Sequence, residues 1–310
     1  MHTASRSFRP HHLWFALFVL FSLVLFRAPL ASLASLSLRD DRYSHILLIP
    51  ILSCGLVYLQ RKRAFAAPKY SFPGSVPLLV AALALLGLAE TRFRIFDSNS
   101  QLSVIVLAII LVWIAGFVLC YGAHSFRVSL FPLLFLVLMI PLPTFVLDAM
   151  VLGLQKGSAV MTYALFKMLG VPVLWRHFKF LLPGVEIEIA EECSGIRSSF
   201  ALLITSILTG YLFLQSNWRR VVFTLFTLPV VIFKNAVRIV TISCLGVYVD
   251  PGFLHGTLHR YGGLPFSLVS LAILVPVLLA LQKGERSHVS LPKSPGGAGQ
   301  RTIESVLSVS

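Results

Sequence analysis

Charge is what this sequence has least of. Only 12% of its 310 residues are Asp, Glu, Lys or Arg, against about 25% in soluble domains. With 57% hydrophobic residues, a water-soluble fold of this length would leave large apolar patches exposed. That excludes an ordinary soluble enzyme and makes the bilayer the natural solvent. Acidic residues are scarcer still, 12 against 26 Lys and Arg, for a net charge of +14. The basic residues sit in short gaps between apolar runs, not on one face as in a nucleic-acid binder. Topology control and attraction to anionic lipid account for them. Cysteine is rare as well. Cys54, Cys120, Cys193 and Cys244 follow no metal spacing and no disulfide framework. Three lie in apolar runs, where a free Cys behaves as a small hydrophobe; only Cys193 has polar company.

What is abundant is the apolar run. A spanning helix needs about 20 mostly apolar residues, and such runs fall at roughly 13–30, 44–60, 75–91, 101–121, 128–148, 198–214, 221–246 and 264–282. The expected fold class is therefore an all-α integral membrane protein, a polytopic bundle of about eight transmembrane helices. The first run is read as a retained helix, because no clear cleavage site follows it. With the N-terminus inside, every inner turn is basic: Arg6 and Arg9, Arg61 to Arg63 with Lys69, Arg127, Arg219 with Arg220, and Lys283 with Arg286. Arg27, Arg39, Arg42, Arg92, Arg94 and Arg260 fall outside and count against this orientation. The balance favours both termini inside.

As a domain plan, one transmembrane domain covers 1–282, with an extracytoplasmic segment at about 149–197, and a disordered cytoplasmic tail covers 283–310. Within the outer segment, Val151 to Leu169 is apolar with Gln155, Lys156 and Ser158 on it. It reads as an interfacial or re-entrant helix, or as a ninth span. Phe178-Lys179-Phe180 and Val185 to Ile189 alternate with the period of a strand, so a short β-hairpin is expected just before Cys193.

Three places break the apolar pattern with groups that have a chemical use. Glu191-Glu192-Cys193-Ser194-Gly195-Ile196-Arg197 stands at the entry to the sixth run. A thiol there meets free backbone N–H groups and the positive end of the helix dipole, which favour the nucleophilic thiolate. Arg197 acts in the same direction, the glutamates in the opposite one; the bland reading is a capped helix start with an incidental Cys. Lys234-Asn235-Ala236-Val237-Arg238 lies within the seventh run, where a charge costs at least about 2.5–3.5 kcal/mol. Asn235 and Arg238 share a helix face, and Arg238 is about 27 Å along from Arg220, near the outer boundary of the core. An Arg snorkelling to headgroups is the alternative. His255 and His259 precede the eighth run. Histidine is the usual base for a thiol, although an interfacial His is often merely solvated. A thiol, a base and a fixed cation at one depth are the parts that acyl transfer through a thioester requires.

At these residues the sequence resembles the exosortase/archaeosortase family of membrane transpeptidases. The resemblance rests on Glu192 to Ser198, on Asn235-Ala236-Val237-Arg238-Ile239, and on His259 followed by Gly262-Gly263 and Phe266. Asp41-Arg42-Tyr43-Ser44-His45, running on to Ile49-Pro50, is also similar to the family's N-terminal region. The resemblance implies Cys193 as nucleophile, Arg238 as the cation that stabilises the oxyanion or holds substrate, and His259 as acid/base, with His255 its competitor. Glu192, Ser194, Arg197 and Asn235 are then expected to line the substrate site. The partners implied are exported proteins with a C-terminal sorting tail (a Pro-Glu-Pro-like motif, a hydrophobic span and a basic end), membrane lipid, and a cell-surface glycan or lipid acceptor. No metal, cofactor, nucleic acid or fused accessory domain is expected. The enzyme would sit in the cytoplasmic membrane with its active site at the outer face. Two rivals differ in kind. A transporter would use Arg238 and Lys234 to bind an anion at a broken helix, and a scaffold for surface polysaccharide assembly would need no essential polar residue. A thiol protease that hydrolyses the tail differs only in its acceptor.

Overall fold

A computed structural model describes residues 10–91, 98–189, 196–254 and 263–289. Its helices are α1 (Pro10–Leu25), α2 (Arg27–Arg39), α3 (Leu48–Leu59), α4 (Arg61–Ala64), α5 (Phe72–Thr91), α6 (Ser98–Val128), α7 (Leu130–Phe135), α8 (Thr144–Met168), α9 (Ile196–Phe213), α10 (Asn217–Tyr248) and α11 (Gly263–Val289). Short 3-10 turns cover Asp41–Tyr43, Leu136–Met139 and Pro251–Leu254. Among the described residues, six helical segments are long and apolar enough to cross a membrane, and two further pairs qualify only as bent pairs. The fold is a polytopic all-α membrane protein with one small sheet.

Both bent pairs have prolines behind them, whereas α6 breaks helical geometry at Gly122 (φ 84°, ψ 176°). The first apolar run does not form one straight helix: α1 and α2 meet at 78°. Pro29 has no N–H to offer the carbonyl of Leu25 and its ring crowds it, so the ladder breaks there and resumes with Leu30 N–H donating to Phe26 O at 3.1 Å. The fifth run is likewise not the single segment 128–148. Leu130–Met139 and α8 meet at 89° across Ile140-Pro141-Leu142-Pro143, and Ile140 is extended (φ −71°, ψ 121°) as a residue before proline prefers. Residues 151–168, read separately in the sequence, simply continue α8. At the other end of the chain, α11 runs to Val289, beyond the 283 at which composition starts the tail.

Irregular backbone at membrane depth is tolerated only where its polar groups find partners, and two carbonyls of this break have them. Ser103 Oγ donates to Pro141 O. Asn99 Nδ2 donates to Leu142 O at 2.6 Å, and Tyr43 Oη donates to the same carbonyl at 3.3 Å. Asn99 Nδ2 also donates to Tyr43 Oη at 2.8 Å. Because two donors share the Leu142 carbonyl, Tyr43→Phe and Asn99→Leu should each be mild. The double variant strips that carbonyl and should cost about 1–3 kcal/mol, more than the two singles summed, as read by denaturant unfolding in detergent.

The chain separates into two compact units, 1–160 with 174–181 and 186–201, and 161–173 with 182–185 and 202–310. In the first, α5 and α6 are antiparallel. Lys69 N–H and Ser71 N–H donate to Tyr121 O and Leu119 O at one end, and Gln101 Nε2 donates to Ala89 O at the other. α1 lies on α6 so closely that a Cβ on Gly116 would clash with the Phe18 ring. His11 bonds Cys120 O at 2.9 Å and His12 pairs with Tyr121 Oη at 3.0 Å, so α1 begins at the Lys69 end. In the second unit, Thr227 Oγ1 bonds Ser206 Oγ at 2.8 Å, joining α10 to α9. Arg219, only 9% exposed, donates to Leu281 O at 2.7 Å, and the Glu285 carboxylate accepts from Gln215 N and Ser216 N. Gly284 leaves room for that guanidinium, which would lie 3.3 Å from an added Cβ.

The expected hairpin is present and carries one strand more. β1 (Leu174–Arg176), β2 (Lys179–Leu182) and β3 (Val185–Glu188) form a sheet in the order β1-β2-β3. β1 and β2 are antiparallel with Trp175 opposite Phe180. Between β2 and β3, Pro183-Gly184 makes the turn; Gly184 has φ 79°, as the third position of a type II turn requires.

Candidate functional site

The sequence placed its site on three segments, and the structure describes part of it. Glu192, Cys193, Ser194, His255 and His259 lie outside the described residues. Asn235 and Arg238 lie on α10, and Arg197 on the first turn of α9.

α10 is 32 residues long, about 48 Å, and continues through Pro229. Its two halves differ. Up to Thr227 buried residues recur at Arg219, Phe223 and Thr227, with exposed Val221, Val222, Leu225 and Phe226 between them, the stripe of a lipid-facing helix. From Val230 to Val247 every residue is buried or half-buried. Two of the helix's four charges lie in this enclosed half: Lys234 is 2% exposed and Arg238 is half-buried, with the polar Asn235, 1% exposed, beside Lys234. Lys234 and Arg238 are one turn apart and feel each other's charge. Like charges four residues apart repel, and each is costly inside a span.

Arg197, expected among the substrate-lining residues, is seen bonded within the protein: its Nη1 lies 3.0 Å from Asp41 Oδ2. Three residues on, Phe200 stacks on the His45 ring at 4.9 Å and 21°. The Asp40–His45 segment is itself well fixed. Asp40 accepts from Arg42 N, Nε and Nη2, and the Arg42 guanidinium holds its carboxyl below the usual carboxylate range. This pair therefore persists at neutral pH and is lost only as pH falls through that lowered value. Sequence reading used Asp41 and His45 only for resemblance. Nothing local signals their contact with α9, since a tertiary pair leaves no spacing in the text.

In the sheet, Lys179 bridges Glu186 at 2.9 Å and Glu188 at 3.6 Å, and Glu186 above all holds the lysine above its ordinary range. Ile189 N–H donates to Phe178 O at 2.8 Å and Gln155 Nε2 donates to Ile189 O at 3.1 Å, tying the strand end to α8 four residues before Cys193. Among the described residues no group of His, Cys, Asp and Glu is disposed to hold a metal ion.

Residues 37–276 match the transmembrane exosortase (Exosortase_EpsH) family. The chain belongs to that family. No curated protein and no solved structure matches it. The matched region of this membrane exosortase begins at the end of α2 and closes within α11. It takes in the Asp41–His45 segment, Cys193, Arg238 and His259, and leaves α1 outside.

Proposed function

We propose that this exosortase is a membrane-embedded cysteine transpeptidase that cleaves the C-terminal sorting tails of exported proteins and transfers them to a cell-surface acceptor. The observation that carries the reading is the family match across every segment holding the proposed triad, together with a cation in the enclosed half of α10. In this scheme the Cys193 thiolate adds to a backbone carbonyl of the tail, and Arg238 stabilises the oxyanion. His259 protonates the departing amine. The C–N bond breaks, a C–S thioester forms, and the hydrophobic tail leaves. An amine or hydroxyl of a glycan or lipid then attacks the thioester and returns the thiolate. Family membership favours this over the transporter and the scaffold.

The active site is placed at the outer face of the cytoplasmic membrane, with both termini inside. What supports this is the positive-inside rule. The end of the first unit where α1 starts also carries Arg61, Lys62, Arg63, Lys69 and Arg127, and Arg219 and Arg220 stand beside the Lys283 end of α11. The test is tail release from a co-expressed reporter bearing a Pro-Glu-Pro-type tail, wild type against Cys193→Ala at matched membrane levels. Undiminished release by the variant would end the proposal.

A further inference from the structure

We propose that Asp41 and His45 are positioning residues that hold the first turn of α9, and that Arg197 serves as the tether on that turn. The inference rests on the reading of Cys193 as the nucleophile. Two attachments meet one helix face: Arg197 Nη1 to Asp41 Oδ2 at 3.0 Å, and Phe200 on His45 at 4.9 Å between centroids. Arg197 and Phe200 are three apart, so they share a face of α9. Asp41 and His45 are four apart on a segment that cannot easily yield. Tyr43, 4% exposed, is bonded through its hydroxyl to Leu142 O and Asn99, and its carbonyl accepts from Ser37 Oγ at 2.9 Å.

Asp41 opens one candidate span and Arg197 is the second residue of another, so the pair joins two helix starts at one membrane face. Alone, an ion pair with side chains 64% and 75% exposed would count for little. Joined to the ring stack, it fixes both the height and the rotation of the turn. Cys193 is four residues before Arg197 and three before the helix starts, within about 11 Å of chain. A thiol that must meet a carbonyl within a few tenths of an ångström depends on such a frame.

The test is a charge exchange in purified, reconstituted protein with Cys54, Cys120 and Cys244 changed to Ser. Asp41→Arg and Arg197→Asp should each lower kcat for tail release about 10-fold with KM little changed. Each should also shift the iodoacetamide alkylation rate of Cys193. The double exchange should restore both readouts to within about threefold. His45→Ala should behave like the single variants. If Arg197 instead binds an anionic substrate group, the single variants raise KM and the double exchange restores nothing, which overturns the proposal. Single variants that fail to fold are replaced by Asp41→Asn and Arg197→Gln, each expected to lose kcat alone with no further loss together. Losses that add overturn the inference. Cys193→Ala with undiminished release would sink the transpeptidase reading, whereas the alkylation rates would still report on the tether.

Discussion

Cys193→Ala is expected to lower tail release by roughly 10³-fold or more, while membrane levels and thermal stability stay near wild type. Covalent catalysis divides one difficult acyl transfer into two easier ones, and without the sulfur neither can start. A residual rate would be informative in its size, since positioning and oxyanion stabilisation can survive loss of a nucleophile. Cys193→Ser should recover little, because a serine hydroxyl is far less ionised than a thiol at neutral pH. The three other cysteines serve as controls. Cys54 is exposed on α3, Cys120 is buried in α6 and Cys244 is half-buried on α10, and their serine variants should release tail at the wild-type rate.

The second large effect belongs to Arg238. Arg238→Ala should reduce release by about 10²–10³-fold, the usual cost of removing one oxyanion donor. Lysine should not substitute for it, because a planar fork of donors differs from a point charge on a flexible stem. The partition of the loss identifies the role: a fall in kcat with steady KM marks a transition-state contact, and a rise in KM marks ground-state binding of the tail. Membrane abundance of the variant, measured alongside, separates a loss of catalysis from a loss of folded protein.

The spanning helices were legible because the bilayer demands length and apolarity, both of which a sequence displays directly. α10 departs from its expected run by only a few residues at either end. The bends were less legible. Pro29, Pro141 and Pro143 stood in plain view, but averaging hydropathy over a run hides the carbonyl that each proline abandons. The strand alternation of β2 and β3 was visible, whereas Leu174-Trp175-Arg176 is too short to show a period. The charges of α10 stood out for their cost in lipid, and the most deeply buried of them is Lys234, to which the family resemblance gives no role. The partnership of Asp41 with Arg197 was beyond reach, because residues that far apart in the chain meet only through the fold.

The double-proline break also bears on how the protein is made. Leu130–Met139 is ten residues long, about 15 Å of helix, or half of a hydrocarbon core. Such a stub, with two bared carbonyls behind it, is a poor independent guest in lipid. Its hosts are Tyr43 at the entry to α3, and Asn99 and Ser103 on α6, all of which leave the ribosome earlier. Insertion therefore has a built-in sequence. The residues that form the receptacle come first in the chain, the broken span follows them, and the segment bearing the cysteine comes last.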